Sequence, residues 1–146
     1  MSELISEVTI FMKTGKNQES FCEEVADVGI MLNMSLAAYH IVYDACVTIV
    51  DMDTPIVKDD IKKIKKMSKT EFLRYFIRCI SELQKALCKR ARGCKNTDII
   101  RNATVHYLTA LKFMYTEEFI SKSMVDTWTK KKLERMNHRF KKNNIF

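Results

Sequence analysis

Histidine and cysteine, the residues that most often carry catalysis or bind metals, are few and widely spaced in this chain. The histidines are His40, His106 and His138, and none lies in a context typical of a general base or a metal ligand. His40 and His106 lie on or beside apolar helix faces, which favours structural histidines with satisfied hydrogen bonds. Cys79, Cys88, Cys94 and His106 could supply four zinc ligands, but there is no C-x-x-C pair and the spacings match no structural zinc pattern. We therefore expect no metal site.

The remaining patterns of catalysis are also missing from the sequence. Neither glycine-rich loop that binds nucleotide phosphates, G-x-G-x-x-G or G-x-x-x-x-G-K-[ST], occurs, and the chain has three glycines in all. Asp51, Asp53, Asp59 and Asp60 cluster around Pro55, where the start of a helix explains them without catalysis. No nucleophile is paired with a base in a recognisable motif. The sequence predicts a protein that is not an enzyme and uses no cofactor.

Basic side chains form the most conspicuous charged clusters. Two clusters are candidate contacts for an anion or for nucleic acid: Lys130, Lys131, Lys132, Arg135 and Arg139 near the C-terminus, and Lys89, Arg90 and Arg92 further upstream. The first cluster is backed by apolar residues at Trp128, Leu133, Met136 and Phe140. Such faces are often only solvated surface, but nucleic acid, an acidic protein or an anionic membrane would each fit them. The lysines between Lys58 and Lys69 could extend this positive surface.

Nine methionines give the chain flexible apolar side chains. Several lie at predicted helix faces or ends: Met31, Met34, Met67, Met114, Met124 and Met136. Methionine fills irregular core gaps, and it also lines adaptable binding grooves. Our leading hypothesis is an interaction or regulatory module that binds a helix or short segment of a partner protein in an apolar groove. The alternative is a nucleic-acid-binding protein whose basic second half contacts the phosphate backbone without reading sequence.

The net charge of +7 hides a strong asymmetry along the chain. Residues 1–54 carry two basic and nine acidic side chains, a net of −7, whereas residues 55–146 carry 23 basic and nine acidic side chains, a net of +14. Such a difference suggests an acidic partner for the second half, or two halves that face each other within one chain or between two chains. A homo-oligomer is therefore a further expectation.

Length and composition bound the class of protein. A chain of 146 residues with 47% hydrophobic residues, three glycines and one proline favours one compact helical domain over an all-β fold. The longest uncharged run, residues 28–43, is shorter than the roughly 20 apolar residues that span a bilayer, so we predict no transmembrane segment. The N-terminus lacks the pattern of a signal peptide, and five scattered cysteines argue for a reducing compartment. We expect an intracellular protein, cytoplasmic or nuclear.

The stretch that best defines the fold is residues 67–93, which carries complete helix start and stop signals. Ser68 and Glu71 form a capping box, Met67 and Phe72 are placed as a hydrophobic staple, and Gly93 is a natural end. Apolar residues recur at three- and four-residue steps, at Phe72, Phe76, Cys79, Ile80, Leu83 and Leu87. This pattern predicts a long helix with one core face.

Other helices are predicted on both sides of it. The first covers Glu3 to Lys13 and ends at Gly15; for residues 18–51 we favour two helices that bend near Ser35, because one helix of 34 residues would be about 50 Å long. A helix follows Pro55, Asn96 or Thr97 caps another, and a last helix begins after a turn through Ile120, with residues 141–146 as a frayed tail. The predicted fold is all-α, a compact single-domain bundle of six to eight helices.

Two stretches resemble parts of known helical families. Residues 59–87, DDIKKIKKMSKTEFLRYFIRCISELQKAL, resemble the end of the helical N-terminal domain of transcription elongation factors of the TFIIS type, although the tryptophan usual near its end is absent. Residues 107–130, which include YLTALKFMYTEEFISKSMVDTW, resemble the last repeats of helical domains that close some translation initiation factors, with a basic tail in place of an acidic aromatic one. Each covers less than a quarter of the chain, and neither supplies binding residues. The chain's size is also compatible with small viral helical bundles that capture a host helix.

Overall fold

A computed structural model describes residues 1–38 and 57–142, and within these ranges the chain is all-helical. The six helices are α1 (Ser2–Thr14), α2 (Gln18–Ala38), α3 (Lys58–Ile64), α4 (Lys69–Ala91), α5 (Thr97–Thr116) and α6 (Lys122–Lys142). The predicted all-α class is confirmed, and the number of helices in the described ranges fits the expected six to eight.

Helices α1 and α2 form an antiparallel pair joined by a tight connection. Gly15 ends α1 as predicted, with φ +65°, and its N–H donates to the carbonyl of Phe11. Asn17 then donates from Nδ2 to the carbonyl oxygen of Glu7 at 2.8 Å and to its carboxylate at 2.6 Å. This amide holds the entry of α2 against the middle of α1.

Helices α4 and α5 begin with the caps expected from the sequence. The Ser68 hydroxyl accepts a hydrogen bond from the N–H of Glu71 at 3.2 Å, and the Asn96 side chain accepts one from Asp98 at 3.1 Å. Gly93, with φ +99°, follows the end of α4. The buried face of α4 contains five of the six predicted residues, namely Phe72, Phe76, Cys79, Ile80 and Leu83, whereas Leu87 is half-buried.

Aromatic rings join the α1–α2 pair to the α4–α5 pair. Phe76 of α4 is fully buried, and its ring centroid lies 6.4 Å from that of Phe21 in α2 and 5.6 Å from that of Tyr107 in α5. One turn away, Phe72 packs against Phe113 at 4.9 Å. The order of these contacts shows that α4 and α5 are antiparallel, and it places Phe76 at the centre of the core.

The short helix α3 is attached to α5 by polar contacts as well as by Ile64. Asp60 is buried and pairs with Nδ1 of His106, while the N–H of Val57 donates to the Thr109 hydroxyl at 3.0 Å. A helix of seven residues is not stable alone, so these contacts fix its position.

Helix α6 lies along α2 and runs in the same direction. Near the start of α6, the side chain of Gln18 from α2 donates to the carbonyl of Phe119 at 3.1 Å. Further along, Lys132 of α6 pairs with Glu23 and Asp27 of α2. Of the side chains of α6, only Val125 and Thr129 are buried, so this helix depends on α2 for most of its packing.

Two expectations were wrong in detail. Helix α2 continues through Ser35 to Ala38, so no second helix begins at Ser35, and Phe21, Val25 and Leu32 keep one face of α2 in the core up to Leu32. The Ser35 hydroxyl contacts Met31 Sδ at 3.6 Å and caps no new helix. On α6, Leu133 was expected to back the basic face, yet it is 46% exposed, and Thr129 faces inward instead.

Several expectations lie outside the described residues. These are the helix expected to follow Ser35 as far as Val50, the boundary at Pro55, His40, Cys46 and residues 143–146 of the predicted tail. Lys141 and Lys142, the first two residues of that tail, belong to α6.

Candidate interaction groove between α2 and α6

A groove of about 480 Å³ opens between the second half of α2 and the second half of α6. It is called the α2–α6 groove below. Its lining consists of Asp27, Ile30, Met31, Met34 and Ser35 from α2 and Lys132, Arg135, Met136 and Arg139 from α6. Since α2 and α6 run side by side, both helices contribute residues at three- and four-residue steps, and the groove follows the helix axes.

The floor of the groove is apolar and rich in methionine. Met34 is 53% exposed, Met31 and Met136 are half-buried, and Ile30 is buried beneath them. The three thioethers are unbranched and polarisable, so they adjust to the shape of an apolar ligand at little cost. Exposing Met34 to this extent is unfavourable in water, and burial by a ligand would recover part of that free energy.

An ion-pair cluster closes one end of the groove. Lys132 Nζ lies 2.9 Å from a carboxylate oxygen of Asp27 and 3.2 Å from one of Glu23, and the lysine side chain is only 15% exposed. Burial alone would lower the pKa of this ammonium group, but the hydrogen bonds and charges of Asp27 and Glu23 outweigh it and raise the pKa. Lys132 therefore stays charged and links α6 to α2.

The α6 side of the groove carries cations that no acid neutralises. Arg135 and Arg139 lie four residues apart, and neither forms an ion pair with any carboxylate in the described part of the chain. The guanidinium carbon of Arg135 lies 6.0 Å from the centroid of the Trp128 ring, and Lys131 Nζ lies 5.1 Å from it. These contacts orient two of the cations through the ring.

The predicted basic contacts fall into different environments. Lys130, Lys131, Arg135 and Arg139 are exposed on α6, whereas Lys132 points between α6 and α2. Consecutive residues of a helix are about 100° apart, so the three neighbouring lysines cannot share one face.

The second predicted cluster lies at the end of α4. Lys89 and Arg90 belong to its last turn and Arg92 caps it, while Arg90 Nη1 donates to the carbonyl of Cys94 at 3.2 Å. In the described ranges, the main packing partners of α4 are α5 and α1, whereas that of α6 is α2.

Polar and titratable residues also meet between α3, α4 and α5. Beside the Asp60–His106 pair lie Tyr75 and Cys79 of α4, and burial raises the pKa of both, to about 11 for Cys79. Within residues 1–38 and 57–142, no three His, Cys, Asp or Glu side chains are placed to hold a metal ion. A protonated, buried thiol is a poor nucleophile, so Cys79 is not activated by its surroundings.

Sequence reasoning identified the methionines but not the groove or the role of Asp60. Met31 and Met34 are three residues apart, and with Asp27 they mark one stripe of α2, yet nothing in the sequence indicates that α6 lies beside it. Asp60 was interpreted as a helix-capping residue. Its position four residues before the buried Ile64 was the available signal that it faces the core.

No family model, no curated protein and no solved structure matches the chain. None of the six described helices combines the length and apolar character that a bilayer-spanning helix needs.

Proposed function

We propose that this protein is a non-enzymatic helical interaction module that binds a segment of a partner protein in the α2–α6 groove. One observation carries the proposal: an open groove of about 480 Å³ whose floor is made of methionines and whose most exposed apolar side chain is Met34. Grooves of this size and composition suit an inserted apolar side chain. The buried, protonated thiol of Cys79 supports a structural rather than catalytic use of the nearby polar cluster.

Site-specific photocrosslinking in cell extract tests this function. A photoreactive residue is placed at position 34 inside the groove and, as a matched control, at position 133, since Leu133 is similarly exposed on α6 but does not line the groove. We expect discrete protein adducts from position 34 that survive nuclease treatment and that excess unlabelled wild-type protein competes away. Excess Met34→Asp protein should fail to compete. Equal adducts from both positions, or adducts that nuclease removes, would contradict the proposal.

A second candidate function is binding to a phosphate backbone, and the spacing on α6 favours it. Lys131, Arg135 and Arg139 recur every four residues and therefore line one side of the helix, without carboxylate partners in the described ranges. Such binding would be insensitive to sequence and would weaken steeply with salt.

Mobility shift of a generic duplex and of a single strand at ~50 mM salt tests this second candidate, because electrostatic binding is strongest there. Binding that is lost in a Lys131→Ala/Arg135→Ala/Arg139→Ala variant would support it. No shift of either nucleic acid with wild-type protein would remove it.

A further inference from the structure

We infer, building on the proposed function, that the occupant of the α2–α6 groove is an amphipathic helix. The flank of this helix that faces α6 is acidic. The partner helix would place an apolar stripe on the methionine floor and carboxylates beside Arg135 and Arg139. This chemistry follows from the difference between the two walls of the groove.

The two walls differ in charge. On the α2 wall, Met31, Met34 and Ser35 are uncharged, and Asp27 at its end is neutralised by Lys132 at 2.9 Å. On the α6 wall, Arg135 and Arg139 have no carboxylate partner among residues 1–38 and 57–142. Like charges four residues apart on a helix repel each other, and an acidic ligand would relieve that repulsion. A ligand that complements the charges of the groove therefore needs carboxylates only on the side that faces α6.

The length of the groove suits about two turns of a helix. Its α2 wall runs from Asp27 to Ser35 and its α6 wall from Lys132 to Arg139, which corresponds to about 10–12 Å along the helix axes. Two turns present anchors at positions i, i+3 or i+4, and i+7, the spacing with which helices bind in apolar grooves. Guanidinium groups four residues apart would then meet carboxylates with a matching spacing.

A second copy of this chain is a poorer occupant. The apolar face of its acidic helix α1, formed by Leu4, Val8 and Phe11, is buried in the core. In the described ranges the exposed large apolar residues are Ile10, Met34 and Leu133, on three different helices, so they form no second apolar stripe.

Nucleic acid also fits the groove less well. The floor is apolar, and a phosphate backbone offers no apolar side chain to cover Met34. Trp128, an aromatic ring on α6, already has Lys131, Lys132 and Arg135 at 5.1–6.0 Å, so these cations would compete with a base for its face.

Selection from a displayed library of helical peptides tests the inference on the full chain. Each peptide has about 18 residues, long enough to populate a helix, with apolar residues fixed along one stripe and Glu, Gln or Lys randomised along both flanks. Selection on wild-type protein, with depletion on Met34→Asp, should enrich peptides that carry Glu on one flank. Enrichment of Lys or Gln, or of no peptide, would overturn the inference.

Reversing the charge of Arg135 and Arg139 is the more decisive experiment. In Arg135→Glu/Arg139→Glu the preference should switch to Lys-flanked peptides. The matched control Lys130→Glu/Lys141→Glu changes the net charge equally, at exposed sites outside the groove. In this control the preference for Glu-flanked peptides should remain. By fluorescence anisotropy we expect an enriched acidic peptide to bind wild type about two- to thirtyfold more tightly than its Gln-flanked counterpart, since each of two exposed charge pairs contributes about 0.2–1 kcal/mol. Equal affinities, or the same switch in the control, would refute the inference.

The remaining outcomes are distinguishable from failure of the proposed function. If Gln-flanked peptides bind as well as acidic ones and Met34→Asp abolishes both, the groove is an interaction site but its charge preference is refuted. If sedimentation of wild-type protein alone shows a dimer that Met34→Asp dissociates, a second copy is the occupant. If a duplex competes with the peptide and Arg135→Glu/Arg139→Glu abolishes its binding, the occupant is nucleic acid. The last two results overturn the inference.

Discussion

Replacing Lys132 with methionine should weaken the attachment of α6 to α2 by a predictable amount. Methionine keeps most of the apolar stem of Lys132 and removes the charge that contacts Asp27 at 2.9 Å and Glu23 at 3.2 Å. A hydrogen bond to a charged group contributes about 1.5–3 kcal/mol when buried, and an exposed ion pair about 0.2–1 kcal/mol. Lys132 is 15% exposed but its partners are 46% and 35% exposed, so we expect an intermediate loss of about 1–2 kcal/mol.

Urea unfolding followed by circular dichroism measures this loss. With a slope of about 2 kcal/mol per M, the midpoint should fall by roughly 0.5–1 M. The matched control is Lys130→Met on the same helix, where an exposed lysine without an ion pair in the described ranges is replaced and the free energy of unfolding should change by less than about 0.5 kcal/mol. A double-mutant cycle with Asp27→Asn should give a coupling of about 1 kcal/mol.

The reasoning would be refuted if Lys132→Met were no less stable than Lys130→Met. A coupling energy near zero would show that Lys132 and Asp27 do not interact in solution.

Three further predictions concern the core and the polar cluster. Phe76→Ala should lower the free energy of unfolding by about 3–5 kcal/mol in urea titration, because it opens a cavity at a fully buried ring, whereas Leu133→Ala should cost less than about 0.5 kcal/mol. Asp60→Asn should cost about 1–2 kcal/mol and speed amide hydrogen exchange in α3, since the buried contact between Asp60 and His106 holds that helix. Raising the pH from 9 to 11 should lower the free energy of unfolding of wild type by ~2 kcal/mol more than that of Cys79→Ala. The reason is that burial raises the pKa of Cys79 from 9.0 to about 11 in the folded state, so the unfolded chain loses the thiol proton at a lower pH than the folded chain does.

Each of these three predictions has an opposing result. Equal losses in Phe76→Ala and Leu133→Ala would contradict the position of Phe76 at the centre of the core. Unchanged exchange in α3 of Asp60→Asn would contradict the role of the pair. For Cys79, the stabilising effect is complete below pH 9 and decreases as the pH rises through the folded-state pKa, so identical alkaline profiles for wild type and Cys79→Ala would contradict its burial.

The sequence predicts those parts of the fold that local chemistry decides. The caps at Ser68 and Asn96 and the glycine ends at Gly15 and Gly93 were foreseen, because each satisfies backbone groups within a few residues. The aromatic face of α4 was foreseen from its apolar period, which is independent of the helices it contacts.

Features that depend on contact between distant segments were not predicted. Leu133 has the right spacing for a core residue but is exposed, because α6 packs mainly against α2 in the described ranges and Leu133 lies away from that contact. Lys132 belongs to a run of three lysines, and only the position of Asp27 on α2 distinguishes it from its neighbours. The α2–α6 groove also depends on contact between distant segments. Its methionines were identified from the sequence, but the sequence does not show that α6 forms its second wall.

Methyl NMR of protein labelled at its methionine methyl groups tests the central claim most directly. On addition of a one-flank acidic, amphipathic helical peptide, the signals of Met31, Met34 and Met136 should shift or broaden together, because these residues form the floor of the groove. Met12 and Met124, which are half-buried elsewhere, should not respond. Shifts confined to Met12 or Met124, or no shift at any methionine at peptide concentrations that saturate binding by anisotropy, would contradict the assignment of the α2–α6 groove as the interaction site.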